Sequence, residues 1–358
     1  MNQILKASNS LRAGLVVLAG ISILGGSAST QAASIGSPAS IVEISFAGGG
    51  KRDFISTPYV RTGEVFGTIA SVGSATTIIL TDEASATYTN GRFTPGTATQ
   101  DNKYILEVLD GRYIGLVAYI KSNLGNTFTI DEVSLPLDGL LVGSKYAIRK
   151  DWTIESLFGA ASSTSPLGSG ASTASGDNAN IWSQKTQSYT SYYIRRSDTK
   201  DAQGNVISSV YSWRDAVGNP ANHVRIPYGQ GVQVLRRAAG NGALTLNGEL
   251  RTARLRRDVL QNKTALIANL SPSATTLGDL NVTIDRATSL SGSVVKVWNP
   301  STQAWTAYYR RTSDGKFFDG LAVRDSIVVG AGKVVQVVNK GGADRVGATA
   351  IAADPRLP

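Results

Sequence analysis

Over most of the chain, apolar residues come in short, partly alternating runs broken by Gly, Asn, Asp and Ser, a rhythm of strands and turns rather than helices. Residues 65–70 alternate in part, and 76–80 follow after a Gly-Ser step. Residues 104–109 run into Asp110-Gly111, a strong hairpin signal. Residues 113–120 resume the pattern, Gly125-Asn126 turns it into 127–130, and 146–149 close the series. Strands this closely spaced predict a small barrel or sandwich over 54–150. Upstream, 34–53 offers little pattern beyond Gly48-Gly49-Gly50 and reads as a flexible lead-in or a first edge strand with a linker.

The second half repeats itself. Residues 181–193 align with 297–309 without a gap at a spacing of 116, matching Trp182 to Trp298 and Tyr192-Tyr193 to Tyr308-Tyr309. A later match, 232–234 with 335–337, has a spacing of 103, so the first copy carries 13 extra residues, expected to form a longer hairpin within 199–221. Two copies are too few for a solenoid and predict a duplicated β-sandwich-like module, with copy 1 over 151–262 and copy 2 over 263–350. Copy 1 opens on 151–158, one helical turn with Asp151 as N-cap and Trp152 and Phe158 at a domain junction. A Ser-, Thr-, Gly- and Ala-rich loop follows over 160–179. The basic run within 244–270 is compatible with a helix, but its neighbours favour a strand and turn. The whole reads as all-β: an N-terminal small barrel or sandwich, the duplicated module, and a tail over 351–358.

The first 33 residues read as a signal peptide. Lys6 and Arg12 precede an apolar run over 13–26, and Thr30 and Ala32 suit the positions before a cleavage site, with Ala33 as the alternative. The run is shorter than the roughly 20 residues needed to span a bilayer, and no later stretch approaches that length. The expected location is therefore secreted or cell-surface, with the periplasm as a further option. The 358 residues include no cysteine and one histidine, which excludes disulfides, thiol catalysis, cysteine-held metals and multi-histidine metal sites within one chain. No cofactor is implied.

The order of several short motifs resembles an uncharacterised secreted family described from verrucomicrobial and planctomycete bacteria. The likeness rests on Phe93-Thr94-Pro95, the strands within 104–130, Trp152-Thr153-Ile154 with Leu157-Phe158, residues 163–168, and the Tyr-Tyr strands ahead of 231–237. The family has no assigned activity, so the resemblance implies no catalytic residues.

Chemistry-bearing residues are few. His223 has no nucleophile motif beside it and reads as a loop histidine. Asp82-Glu83 and Asp131-Glu132 are adjacent pairs beside strands, so their carboxylates point to opposite faces and suit solvated turns better than paired acid–base work. Residues 198–205 resemble a calcium loop, but Lys200 and the missing terminal glutamate favour a turn. Two sets remain as candidate sites. Trp182, Tyr189, Tyr192, Tyr193, Trp298, Trp305, Tyr308 and Tyr309 are candidate sugar-stacking aromatics, because consecutive tyrosines on a strand put one ring on each face. Arg236, Arg237, Arg251, Arg254, Arg256, Arg257 and Lys263, against Glu249 and Asp258, form a candidate polyanion patch within a net charge of +9, or a solvated sheet face. No nucleic-acid motif accompanies them. The expected role is a non-catalytic structural or adhesive protein whose partners are envelope or extracellular polysaccharide or other surface proteins. A carbohydrate-binding module and a secreted polysaccharide-active hydrolase are the alternatives.

Overall fold

The computed structural model describes residues 39–74, 77–81, 88–133, 141–251, 255–280, 282–341 and 345–349. The signal-peptide and tail segments, Asp82-Glu83 and Arg254 lie outside them, and of Asp131 and Glu132 only the backbone is described. The fold is all-β, with one short helix among the described residues.

Three strands come first, β1 (Ala39–Phe46), β2 (Lys51–Ile55) and β3 (Tyr59–Val60). The barrel strands follow: β4 (Gly63–Ser74), β5 (Thr77–Thr81), β6 (Tyr104–Val108), β7 (Val117–Leu124), β8 (Thr127–Val133) and β9 (Lys145–Lys150). Helix α1 (Ile154–Phe158) leads to β10 (Asn178–Ser183), β11 (Ser188–Lys200), β12 (Val206–Asp215), β13 (Val232–Arg236) and β14 (Gly242–Leu250). The last ten are β15 (Leu255–Val259), β16 (Thr264–Ala268), β17 (Thr275–Thr276), β18 (Arg286–Ala287), β19 (Val294–Asn299), β20 (Ala304–Arg311), β21 (Phe317–Phe318), β22 (Val328–Val329), β23 (Val334–Val338) and β24 (Arg345–Thr349).

Strands β4-β5-β8-β7-β6-β9 close into a barrel around Phe93, Leu106, Ile120, Phe128, Tyr146 and Ile148. Gly125-Asn126 makes the expected tight turn, with Leu124 paired to Thr127. Asp110-Gly111 does not close a two-residue hairpin. It opens a loop to Val117, held because the Asp110 carboxylate accepts the Lys145 amide at 2.6 Å.

The remaining strands make the same set of pairings twice. In one set, β1 pairs with β14, β2 with β13, β13 with β10 and β10 with β11. In the other, β15 pairs with β24, β16 with β23, β23 with β19 and β19 with β20. Even the register agrees. Ile181 faces Val232 and Trp182 faces Tyr189, as Val297 faces Val335 and Trp298 faces Trp305. Of the segment read as a flexible lead-in or a first edge strand, residues 39–46 and 51–53 are strand, with Ile44, Phe46 and Asp53 buried. The first set takes its opening strands from upstream of the barrel, and the second begins at Leu255, ahead of the expected boundary at 263. Sequence-local reading missed this because β1 and its partner β14 lie about 200 residues apart in the chain. The 244–270 stretch is β14, β15 and β16, with Leu244 and Leu246 turned into the core and Thr245 and Asn247 to solvent.

The two sets clamp each other at their hairpin tips. Gln187, at a φ of 55°, accepts the Thr264 amide at 2.9 Å and donates to its carbonyl at 3.1 Å. Gln303, at a φ of 54°, does the same to Arg52 at 2.7 and 3.0 Å. Thr264 and Arg52 hold equivalent places, each on the strand that flanks β23 or β13. Ser56 donates to Gly332 at 2.7 Å, and Ala268 to Gly229 at 3.0 Å. These reciprocal bonds describe a local two-fold relation, and at its centre Gly231 meets Val334 so closely that a β-carbon on the glycine would lie 2.1 Å from a valine methyl.

Candidate binding groove

Helix α1 is short, and its cap holds it. Thr153, not Asp151, is the N-cap: its hydroxyl accepts the Ser156 amide at 3.2 Å while its own amide donates to the Ser156 hydroxyl at 2.7 Å. Ile154, Leu157 and Phe158 are buried, Trp152 Nε1 donates to the Tyr59 carbonyl, and Trp213 Nε1 donates to Gly159 at the helix end. This pins α1 alongside β14. The following loop is stitched by its own hydroxyls, Ser165 to the Ala160 carbonyl and Ser175 to the amides of Ala171 and Ser172.

Between α1 and β14 runs a groove of about 790 Å³, walled by Trp152, Ser156, Leu157, Thr164 and Pro166 on one side and by residues 243–249 on the other. Strand β14 pairs with β1 from Gly242 to Glu249, but with β3 only at Glu249 and Leu250. Among the described residues no strand covers its second edge from Ala243 to Gly248, so the backbone there faces the groove. Such an edge is a template for an added strand. Arg61 and Glu249 bound one end of the groove, and Glu249 is the single carboxylate among the lining residues. That carboxylate is taken by Arg149 at 2.5 Å, and Arg149 in turn pairs with buried Glu107 at 3.0 Å.

A polar cluster lies behind Arg61. His223 stands 4.0 Å from an Asp101 oxygen and 3.8 Å from a Glu155 oxygen. Burial would raise the Asp101 carboxyl, but hydrogen bonds and charge from Arg61 and Lys150 hold it below the usual carboxylate range. Asp151 is fully buried, and that burial pushes its carboxyl up to about 7 against the opposing Arg225 guanidinium at 2.8 Å. The Lys103 ammonium is lowered by burial and donates to the carbonyls of Gly96 and Thr97 at 2.7 Å. The sequence pattern gave no sign of this cluster, because its members come from four separate stretches of chain: 61, 101–103, 150–155 and 223–225.

The aromatic candidates are not exposed platforms. Trp182, Tyr189, Trp298 and Trp305 pack between the two sets of strands, with Phe54, Leu266 and Val334. Phe54 sits 5.0 Å from Trp298 and 4.6 Å from Trp305, and Trp182 donates to the Thr264 carbonyl. Burial pushes the Tyr189 hydroxyl up to about 12. Tyr192 and Tyr308 are buried within their own cores. Their neighbours, expected on the open face, are covered too: Tyr193 reaches the Ala171 carbonyl of the serine-rich loop, and Tyr309 packs edge-on against Phe318. Both faces are covered at these tyrosines, and that defeats the one-ring-out expectation.

The basic set disperses as well. Arg251 is buried against Glu107 and over the Tyr228 ring. Arg236 bonds Asp177 and the carbonyls of Pro166 and Gly240, and Arg237 bonds the carbonyls of Gly176 and Thr173. Arg256 and Arg257 lie on β15, where only the backbone is described, and Lys263 is half-exposed beside the Leu260 carbonyl. The three described arginines are ties within the fold rather than a shared cationic face.

Comparison with protein-family models, with curated proteins and with solved structures found no match to this chain. Among the described residues, no helix is long and apolar enough to cross a membrane.

Proposed function

We propose that the protein is an exported, non-catalytic β protein of the cell surface or extracellular matrix, built on a duplicated β module, and that it holds its partner by strand addition in the α1–β14 groove. The observation that carries this reading is the bare β14 edge facing a groove of about 790 Å³. A hydrolase that works with two carboxylates finds one in this groove, already tied to Arg149. Covered aromatics weigh against sugar stacking by these rings. Retention of the purified protein on isolated cell envelopes tests the reading. Retention is expected to fall at least tenfold after protease treatment of the envelopes, and equally in a Thr164→Trp variant that fills the groove from an exposed position. Retention that survives protease but not glycosidase treatment would transfer the role to a glycan, and no retention at any salt concentration would remove it.

A further inference from the structure

The second set of strands carries a pair of charges with no counter-charge. Strand β18 lies parallel to β20, with Arg286 in register with Arg310 and Ala287 with Arg311. Residues in register on neighbouring strands share a face, so Arg286 and Arg310 stand side by side. Both close on the turn at 312–316. Arg310 Nε donates to the Gly315 carbonyl at 2.8 Å, and Arg286 donates to the Thr312 carbonyl at 3.3 Å. A β-carbon on Gly315, which turns the chain at a φ of 71°, would lie 2.9 Å from the Arg286 guanidinium. The nearby carboxylates are committed elsewhere. Asp314 is held by Arg311 and the Lys316 amide, which pull its carboxyl down to about 2. Asp319 pairs with Arg324 at 2.7 Å, Asp325 accepts the Phe317 amide at 2.7 Å, and Asp285 lies against Gly341. Among the described residues no carboxylate pairs with Arg286 or Arg310.

The fold does not require this pair. The first set makes the same parallel contact, Gly170 with Arg195, where the second has Ala287 with Arg311. The Arg196 amide reaches the Gly170 carbonyl just as the Thr312 amide reaches that of Ala287. One residue earlier on each strand, where the second set has Arg286 and Arg310, the first has Ser169 and buried Ile194. Like charges placed opposite each other destabilise a sheet. A local conflict that the equivalent sheet avoids points to a use other than folding. We propose that Arg286 and Arg310 form an anion site whose ligand is a phosphate dianion, free or carried as a monoester on a larger molecule. Two guanidiniums balance its two charges, and their forked N–H groups match a tetrahedral oxyanion. Arg286 is exposed and Arg310 half-buried, so the pair is open to solvent. Neither arginine lines the α1–β14 groove, and the site stands whether or not that groove takes a strand.

Calorimetric titration of the purified full chain with inorganic phosphate and with glycerol 3-phosphate, at constant ionic strength, reads the site directly. Saturable binding is expected. Arg286→Gln and Arg310→Gln should each weaken it roughly tenfold or more. Arg195→Gln, which removes one exposed charge from the first set, should weaken it less than about twofold. Glycerol 3-phosphate bound at least as tightly as inorganic phosphate assigns the site to an ester-linked group, and inorganic phosphate bound alone assigns it to the free ion. Arginines that merely staple the turn would behave differently. The expected Arg286→Gln protein unfolds no earlier than wild type without phosphate, and lacks the rise in unfolding temperature that phosphate gives wild type. Arg286→Gln destabilised equally with and without phosphate would overturn the site. So would equal affinity in all three variants, or no saturable binding by wild type at about 20 mM.

Discussion

Gln187 and Gln303 each do two things that conflict in ordinary residues. Each adopts the left-handed backbone that glycine prefers, and each spends its side-chain amide on the backbone of a strand in the other sheet. Replacing Gln303 by Gly relieves the backbone and loses the clamp, whereas Ala loses the clamp and keeps the strain. Gln303→Ala is expected to cost about 1–2 kcal/mol and Gln303→Gly distinctly less, measured by denaturant unfolding. A second residue-scale effect concerns Asp151. Its carboxyl titrates at about 7 in the fold and near 3.9 when unfolded, so the folded state holds an extra proton between those values. This group's contribution is full below about pH 4 and is lost as pH rises to about 7, at up to roughly 1.4 kcal/mol per pH unit. The stability difference between wild type and Asp151→Asn should therefore change across that window. A difference that stays flat from pH 4 to 7 would show that Arg225 keeps Asp151 ionised.

At the scale of the element, hairpins were legible and their uses were not. The aligned Trp and Tyr positions gave the strands and their turns, because both ends of a hairpin lie in one stretch of sequence. What those rings touch depends on Phe54 and Leu266, which come from strands remote in the chain, so an exposed platform and a buried seam look alike in sequence. Gly231 makes the same point. It reads as a turn glycine ahead of β13, yet its hydrogen takes the place of a side chain where the sheets touch. Gly231→Ala is expected to destabilise by about 1–3 kcal/mol. Combining it with Val334→Ala should return part of that loss, seen as a coupling of at least about 0.5 kcal/mol in a double-mutant cycle. Additive effects would place the strain elsewhere.

For the whole molecule, the all-β class followed from turn spacing, but the nesting of its parts did not. Ala39–Phe46 carries no local sign that its partner lies beyond a complete barrel. The reason such nesting is tolerated is visible where the barrel begins and ends. Gly63 and Arg149 are cross-strand partners, so the chain leaves the barrel beside the point at which it entered. To the surrounding strands the barrel is a loop whose two stems almost touch, and closing a loop costs little more as it lengthens. The same junction could host a barrel of different size, provided that its outer face keeps Ile105 and Val117, which share a buried cluster with Tyr228, Leu255, Ala268 and Leu270. In that sense residues 63–149 are an exchangeable cartridge, locked after loading by the Glu107–Arg251 pair.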